Sequence, residues 1–192
     1  ARLQVRRAST ARHRGLIVLI EHHYPTPLGD MVALFTPQGL ALLEFSENTK
    51  RLDREWRDVE RYVGAAAELG ADARTQALGA EIDAYFKGQL QDFDTQLDLV
   101  GTPFQKSVWQ ALLAIPYGQT RSYGQQAHQI NHPTATRAVA AANGQNKIAV
   151  IVPCHRVIGS DGRLTGYGGG LPRKEWLLQL ERSGAVPRDL FT

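Results

Sequence analysis

A single cysteine, Cys154, in 192 residues removes two of the ways in which a small chain can be held together. One thiol closes no internal disulfide and does not by itself supply a zinc cluster. The fold must therefore rest on apolar burial. Hydrophobic residues make up 43% of the chain and charged residues 21%, a globular composition. The length allows one large domain or two small ones with a real core. The longest early aliphatic run, Leu16 to Ile20, is far too short to span a bilayer. A soluble, intracellular protein without membrane contact is expected.

Charge is distributed unevenly. Residues 1–14 carry five arginines and no acid, residues 15–98 seven Lys/Arg against fifteen Asp/Glu, and residues 99–192 ten against four. A basic C-terminal half behind an acidic one suits contact with a polyanion. Residues 1–14 show no apolar periodicity and read as a flexible basic tail.

Residues 15–98 read as a small α+β domain. Met31–Phe35 and Leu40–Phe45 flank Thr36-Pro37-Gln38-Gly39, whose Pro and Gly suit a type I turn and hence a hairpin. Leu52, Trp56, Val59 and Val63 recur at helical spacing, as do Leu78, Ile82, Tyr85 and Phe86. The domain's acidity and lack of catalytic clusters suggest a supporting role. Residues 99–192 form the second unit. Thr102-Pro103-Phe104-Gln105 combines a cap, a first-position proline and a capping-box glutamine. Ser122–Ile130 and Pro133–Ala142 are expected as two short helices around Asn131-His132-Pro133, a helix-turn-helix. Lys147–Val152 reads as a buried strand and Lys174–Glu181 as a last helix.

Cys154 follows that apolar run directly, with His155 and Arg156 next. Nearby positive charge would raise the thiolate fraction and make the sulfur a nucleophile. Neighbouring side chains of a strand point to opposite faces, so the pair works only if the backbone turns at Pro153–His155 or a water bridges it. An acid should orient the imidazole. The candidates in this half are Asp161, Glu175, Glu181 and Asp189.

The run Ile151-Val152-Pro153-Cys154-His155-Arg156-Val157-Ile158-Gly159 resembles the active-site signature of the O6-alkylguanine–DNA alkyltransferases. Gly101-Thr102-Pro103-Phe104-Gln105, Ile115-Pro116-Tyr117-Gly118, Ser122-Tyr123-Gly124, Arg137-Ala138-Val139, Ala141-Ala142-Asn143-Gly144, Gly166-Tyr167 and Lys174-Glu175-Trp176-Leu177-Leu178 resemble further segments of the same family. Thr26-Pro27-Leu28-Gly29 and Tyr85-Phe86-Lys87-Gly88 resemble the N-terminal domain of its bacterial members. The resemblance implies an α+β fold: a small N-terminal α/β, ribonuclease-H-like domain, then a helical, winged helix-turn-helix-like domain. It implies direct DNA repair, in which an alkyl group passes from guanine O6 in duplex DNA to the protein's own cysteine, once and irreversibly, after base flipping.

The resemblance also assigns roles. Cys154 is the nucleophile, His155 the base acting through a water, Glu181 the acid orienting it, and Asn146 the hinge. Tyr123 crowds the 3′ phosphate and helps rotate the base out. Tyr167 and Gly168 wall the base pocket, and the carbonyls of Val157 and Cys154 meet the guanine amino group. Arg137 fills the place of the extruded base, and Thr134, Ala135 and Ala138 approach the DNA backbone in the minor groove. No cofactor or metal is implied. The partner is double-stranded DNA carrying O6-alkylguanine, with O4-alkylthymine as a further substrate, met by a monomer in the cytoplasm or at the nucleoid (the nucleus, in a eukaryote). Three positions depart from residues found in the family: Lys147 stands where many members have proline, Ala140 where a glycine is common and Gly168 where some members have serine. Two other readings compete, a Cys–His–Glu hydrolase and a non-enzymatic module that binds alkylated DNA.

Overall fold

The computed structural model describes residues 18–187. The tail expected over residues 1–14 lies outside them, as do Leu16 and Ile17.

The sheet is built first. Strands β1 (Leu19–Tyr24), β2 (Met31–Thr36) and β3 (Gly39–Phe45) form an antiparallel meander. The expected turn joins the last two, with the Thr36 hydroxyl accepting from the amides of Gln38 and Gly39. A short strand β4 (Ala67–Leu69) adds parallel to β1, giving the order β3-β2-β1-β4. Every residue of β2 and β3 is buried, because both faces of the sheet are covered. Helix α1 (Thr49–Val63) packs Leu52, Trp56, Val59 and Val63 against Leu19, Leu34 and Leu42 on one face. On the other face Met31, Phe35, Leu43 and Phe45 meet Leu78, Ile82, Tyr85 and Phe86 of helix α2 (Ala73–Phe86). Each fully buried side chain of this size contributes roughly 1.5–3 kcal/mol.

The same core continues into the helical half through Val108, Trp109, Leu112, Val139, Trp176 and Leu177. Helix α3 (Pro103–Leu113) starts with the expected capping box between Thr102 and Gln105. Helix α4 (Tyr123–Gln129) repeats the device with Ser122 and Gln125. Helix α5 (Thr136–Gly144) completes the helix-turn-helix, and Asn131 turns the chain between them at φ +59°. Three buried contacts fix α5 in place. Trp109 Nε1 donates to the Ala142 carbonyl at 2.9 Å, and Gln126 and Asn143 exchange amide hydrogen bonds at 2.6 and 3.1 Å. Strands β5 (Arg121–Ser122) and β6 (Val157–Ile158) pair in parallel, and helix α6 (Leu171–Ser183) closes the chain.

Two expectations are corrected. Helix α5 begins at Thr136 rather than Pro133, so Thr134 and Ala135 belong to the turn before it. Residues 147–152 form no strand. Only Ile148 bridges β3, through Leu43, and Val150 adopts φ +71°, a conformation that a β-branched residue rarely takes. The segment folds on itself because the Asn146 side chain supplies its partners: Oδ1 accepts from the Ile148 amide and Nδ2 donates to the Val152 carbonyl at 2.8 Å. A side chain of the right length has displaced the sheet ladder.

Candidate active site

The coiled segment delivers the chain into a single 3-10 turn, Cys154–Arg156. The turn meets the condition set for adjacent residues to cooperate, because it sends consecutive side chains in different directions. Cys154 lines a cavity of about 420 Å³ with Arg51, Tyr123, Ala140, Tyr167 and Gly168. His155 points into the protein and is fully buried.

Behind the cavity, the imidazole Nε2 lies 2.8 Å from Glu181 Oε1. Of the four candidate acids, Glu181 is therefore the partner. Asp161 pairs with Arg163 on the surface and Glu175 is exposed, while Asp189 lies outside the described residues. Glu181 is buried and receives more than the histidine: Tyr85 Oη, Arg156 Nε and NH2, and the Gly118 amide all donate to it. Burial alone would raise its pKa, but the hydrogen bonds of His155 and Arg156 and the Arg156 charge outweigh that and hold the carboxylate well below its usual range. An ionised carboxylate only accepts, so Nε2 carries the proton and Nδ1 presents its lone pair. Nδ1 is buried without a hydrogen-bond partner. Burial also lowers the His155 pKa, against the pull of Glu181, so the ring is neutral near pH 7. Gly118 makes this possible. Its φ is +74°, and a Cβ there would sit 2.9 Å from the Glu181 carbonyl oxygen.

The sulfur sits under opposing influences. Asn146 Nδ2 donates to Cys154 Sγ at 3.3 Å, but burial is the larger influence and pushes the thiol pKa up. The charges of Arg51 and Lys174 pull the other way, and that of Glu44 adds to the rise.

Tyr123, Tyr167 and Gly168 stand in the cavity wall. Tyr123 Oη donates to the Thr165 carbonyl at 3.1 Å. Val157 is buried outside that wall, and its carbonyl is occupied at 2.6 Å by Lys174 Nζ. On α5, Arg137, Ala138, Ala141 and Gly144 form one exposed face, opposite buried Val139, Ala142 and Asn143. Thr134 is exposed in the preceding turn, and Ala135 is half-buried. The cavity opens beside this face, since Ala140 and Gly144 line it.

Four participants were missed. Tyr85 and Arg51 come from the half read as merely supporting. Arg156 clamps Glu181, and Lys174 pins the glycine-rich loop by donating to Val157, Thr165 and Gly166 carbonyls. Lys174 had a legible signal: it shares the helical spacing of Leu177, Leu178 and Glu181, all buried.

Fold and site together define a nucleic-acid-binding protein in which a helix-turn-helix stands beside a cysteine backed by a histidine–glutamate pair. The family model for the 6-O-methylguanine DNA methyltransferase DNA binding domain matches residues 103–183, and that for the ribonuclease-like domain matches residues 19–99. The chain belongs to the 6-O-methylguanine DNA methyltransferase family. The methylated-DNA–protein-cysteine methyltransferase of Mycolicibacterium paratuberculosis is 63% identical over 159 residues, covering 82% of this chain and 88% of that protein. The Mycobacterium tuberculosis protein of the same name is 64% identical over 110 residues, 57% of this chain and 66% of its own length. The match thus spans slightly less than two thirds of that relative. A crystal structure of Mycobacterium tuberculosis OGT in complex with DNA superimposes with a TM-score of 0.73 at 45% identity, covering 88% of this chain and 95% of that one.

Proposed function

We propose that this protein repairs O6-alkylguanine in duplex DNA by moving the alkyl group to Cys154 in a single, irreversible transfer. One observation carries the reading: the sulfur faces a cavity beside the DNA-facing helix, while the adjacent imidazole is held by an ionised carboxylate with its other nitrogen free to accept a proton. Nδ1 takes the thiol proton through a water. The sulfur attacks the alkyl carbon, the bond from that carbon to O6 breaks, and the proton returns to the leaving guanine. The product is a thioether, which offers water no carbonyl to attack. No second thiol exists in the chain to relieve it.

The target oxygen lies within the base stack, so the nucleotide must be turned out at a cost of a few kcal/mol. The small side chains of α5 allow close approach to the sugar–phosphate backbone in a groove that barely encodes sequence, and Tyr123 crowds the phosphate. The same pocket takes O4-alkylthymine as a secondary substrate. One copy suffices, and it works wherever the cell keeps its DNA.

The test is intact-protein mass spectrometry after incubation with O6-methylguanine duplex. A stoichiometric gain of one methyl on Cys154 supports the reading. Multiple turnovers on an ester would favour the hydrolase, and tight binding without an adduct would favour a passive binding module. Arg137 supplies a further prediction. Exposed at the start of α5, it fills the vacated place in the stack. Arg137→Ala should slow repair of duplex roughly tenfold, a part of the flipping cost, and leave transfer from free O6-benzylguanine nearly unchanged. Equal losses on both substrates would remove it from that role.

A further inference from the structure

Arg51 lies on α1, in the sheet domain, yet its side chain ends in the wall of the cysteine cavity. Its guanidinium is gripped from two sides. From the sheet domain, Glu44 Oε2 on β3 accepts from Nε at 2.8 Å, and Glu55 Oε1, one turn along α1, lies 3.1 Å from NH2. Both carboxylates are buried. On the opposite side, NH1 donates to the Gly144 carbonyl at 2.7 Å and NH2 to the Asn146 carbonyl at 2.6 Å. Those carbonyls lie at the C-terminal end of α5, where a cation also complements the helix dipole. Asn146 then passes the constraint on, since its side chain holds the Val152 carbonyl and Cys154 Sγ.

We propose that Arg51 is a positioning residue for alkyl transfer, a strut from the sheet domain that holds the end of the DNA-facing helix and the Asn146 hinge in register with the sulfur. The inference rests on the transfer reading above. A Cβ on Gly168 would run into the Arg51 guanidinium, so the glycine leaves the room that the strut occupies.

The charge acts in the same direction as the geometry. Burial is the main influence on the Cys154 thiol and raises its pKa; after the Asn146 hydrogen bond, the Arg51 charge is the next to lower it. Glu44 opposes this and Lys174 assists it, while Tyr123 and Tyr167 face the sulfur with phenols that burial keeps protonated.

A structural latch alone would lower stability without touching the chemical step. The experiment is therefore single-turnover transfer at saturating O6-methylguanine duplex, with thiol titration by iodoacetamide, on the full chain carrying Arg51→Met or Arg51→Lys. Arg51→Met should slow transfer roughly tenfold, the worth of one charge-assisted hydrogen bond, and raise the thiol pKa. Arg51→Lys keeps the charge but not the fork that reaches two carbonyls and two carboxylates. It should restore the titration and not the rate. A second arm uses the glycine. Gly168→Ser should slow transfer in the parent and cost little in an Arg51→Ala background, a non-additive cycle. Wild-type rates in both Arg51 variants, or a Gly168→Ser penalty indifferent to Arg51, would overturn the proposal. A parent protein that gains no methyl would instead overturn the underlying reading.

Discussion

Glu181→Gln should produce a protein that melts earlier at neutral pH and transfers alkyl groups slower by on the order of 10²–10⁴-fold, the usual worth of a positioned base. The carboxylate takes five donated hydrogen bonds on two oxygens, from Tyr85, His155, Arg156 twice, and the Gly118 amide. An amide keeps one acceptor oxygen and turns an NH2 group toward donors. Arg156 is buried and would lose its counter-charge. Breaking one partner of a buried pair typically costs about 3–5 kcal/mol. His155 would also lose the group that fixes its tautomer, so Nδ1 need no longer be the proton acceptor. The pH dependence has a definite sign. The Glu181 carboxylate titrates below its unfolded value of about 4.3, so its stabilisation is complete above that pH and lost as pH falls below it. His155 is also depressed, so acid weakens the fold from about pH 6.5 downward. The gap in melting temperature between parent and Glu181→Gln should therefore be wide at pH 7 and narrow below pH 4. Calorimetry across that range checks it, and identical melting at pH 7 would show that the carboxylate holds nothing together.

The parts of this architecture that could be read from the chain are those set within a few residues. The Thr102–Gln105 capping box, the Thr36–Gly39 turn and the spacing of Leu78, Ile82, Tyr85 and Phe86 are local, and each appears where expected. Cys154 and His155 were legible because the chemistry sits in adjacent letters. What escaped depends on contacts far along the chain. The run 147–152 is apolar enough for a strand, and periodicity cannot distinguish a buried strand from a buried coil; the Asn146 side chain decides. Tyr85 meets Glu181 across 96 positions, and Arg51 meets Asn146 across 95. Neither pairing leaves a local trace. The influence of burial on the Cys154 thiol escaped for a different reason. Neighbouring cations are visible in the sequence, whereas desolvation is a property of the folded interior.

Lys174→Met should leave the helix in place and loosen the pocket. Lys174 is fully buried on α6, seven residues before Glu181 on the same side, so one helix carries both the carboxylate behind His155 and the ammonium that holds the glycine-rich loop. Its ammonium donates to the Val157 and Thr165 carbonyls at 2.6 Å each and reaches Gly166 at 3.4 Å. These bonds tie down the loop that carries Tyr167 and Gly168. Methionine reproduces the apolar stem and packs where the stem packs, but it donates nothing. The Tyr123 hydroxyl would remain as the other side-chain donor to Thr165. A loop released by even an ångström misplaces the base against the sulfur, and such errors cost on the order of 10²-fold in rate. The stability change is smaller, because the variant also escapes the cost of burying an ammonium, a cost visible in a Lys174 pKa pulled down by burial to about 8. That value, below the unfolded one of about 10.4, means the folded protein sheds this proton first. The parent therefore gains stability from this group as pH rises between about 8 and 10.4, and Lys174→Met does not. Single-turnover transfer and protease sensitivity of residues 159–170 give the decisive comparison. A variant that reacts at the parent rate with an equally protected loop would mean that the glycine segment holds its shape without the lysine.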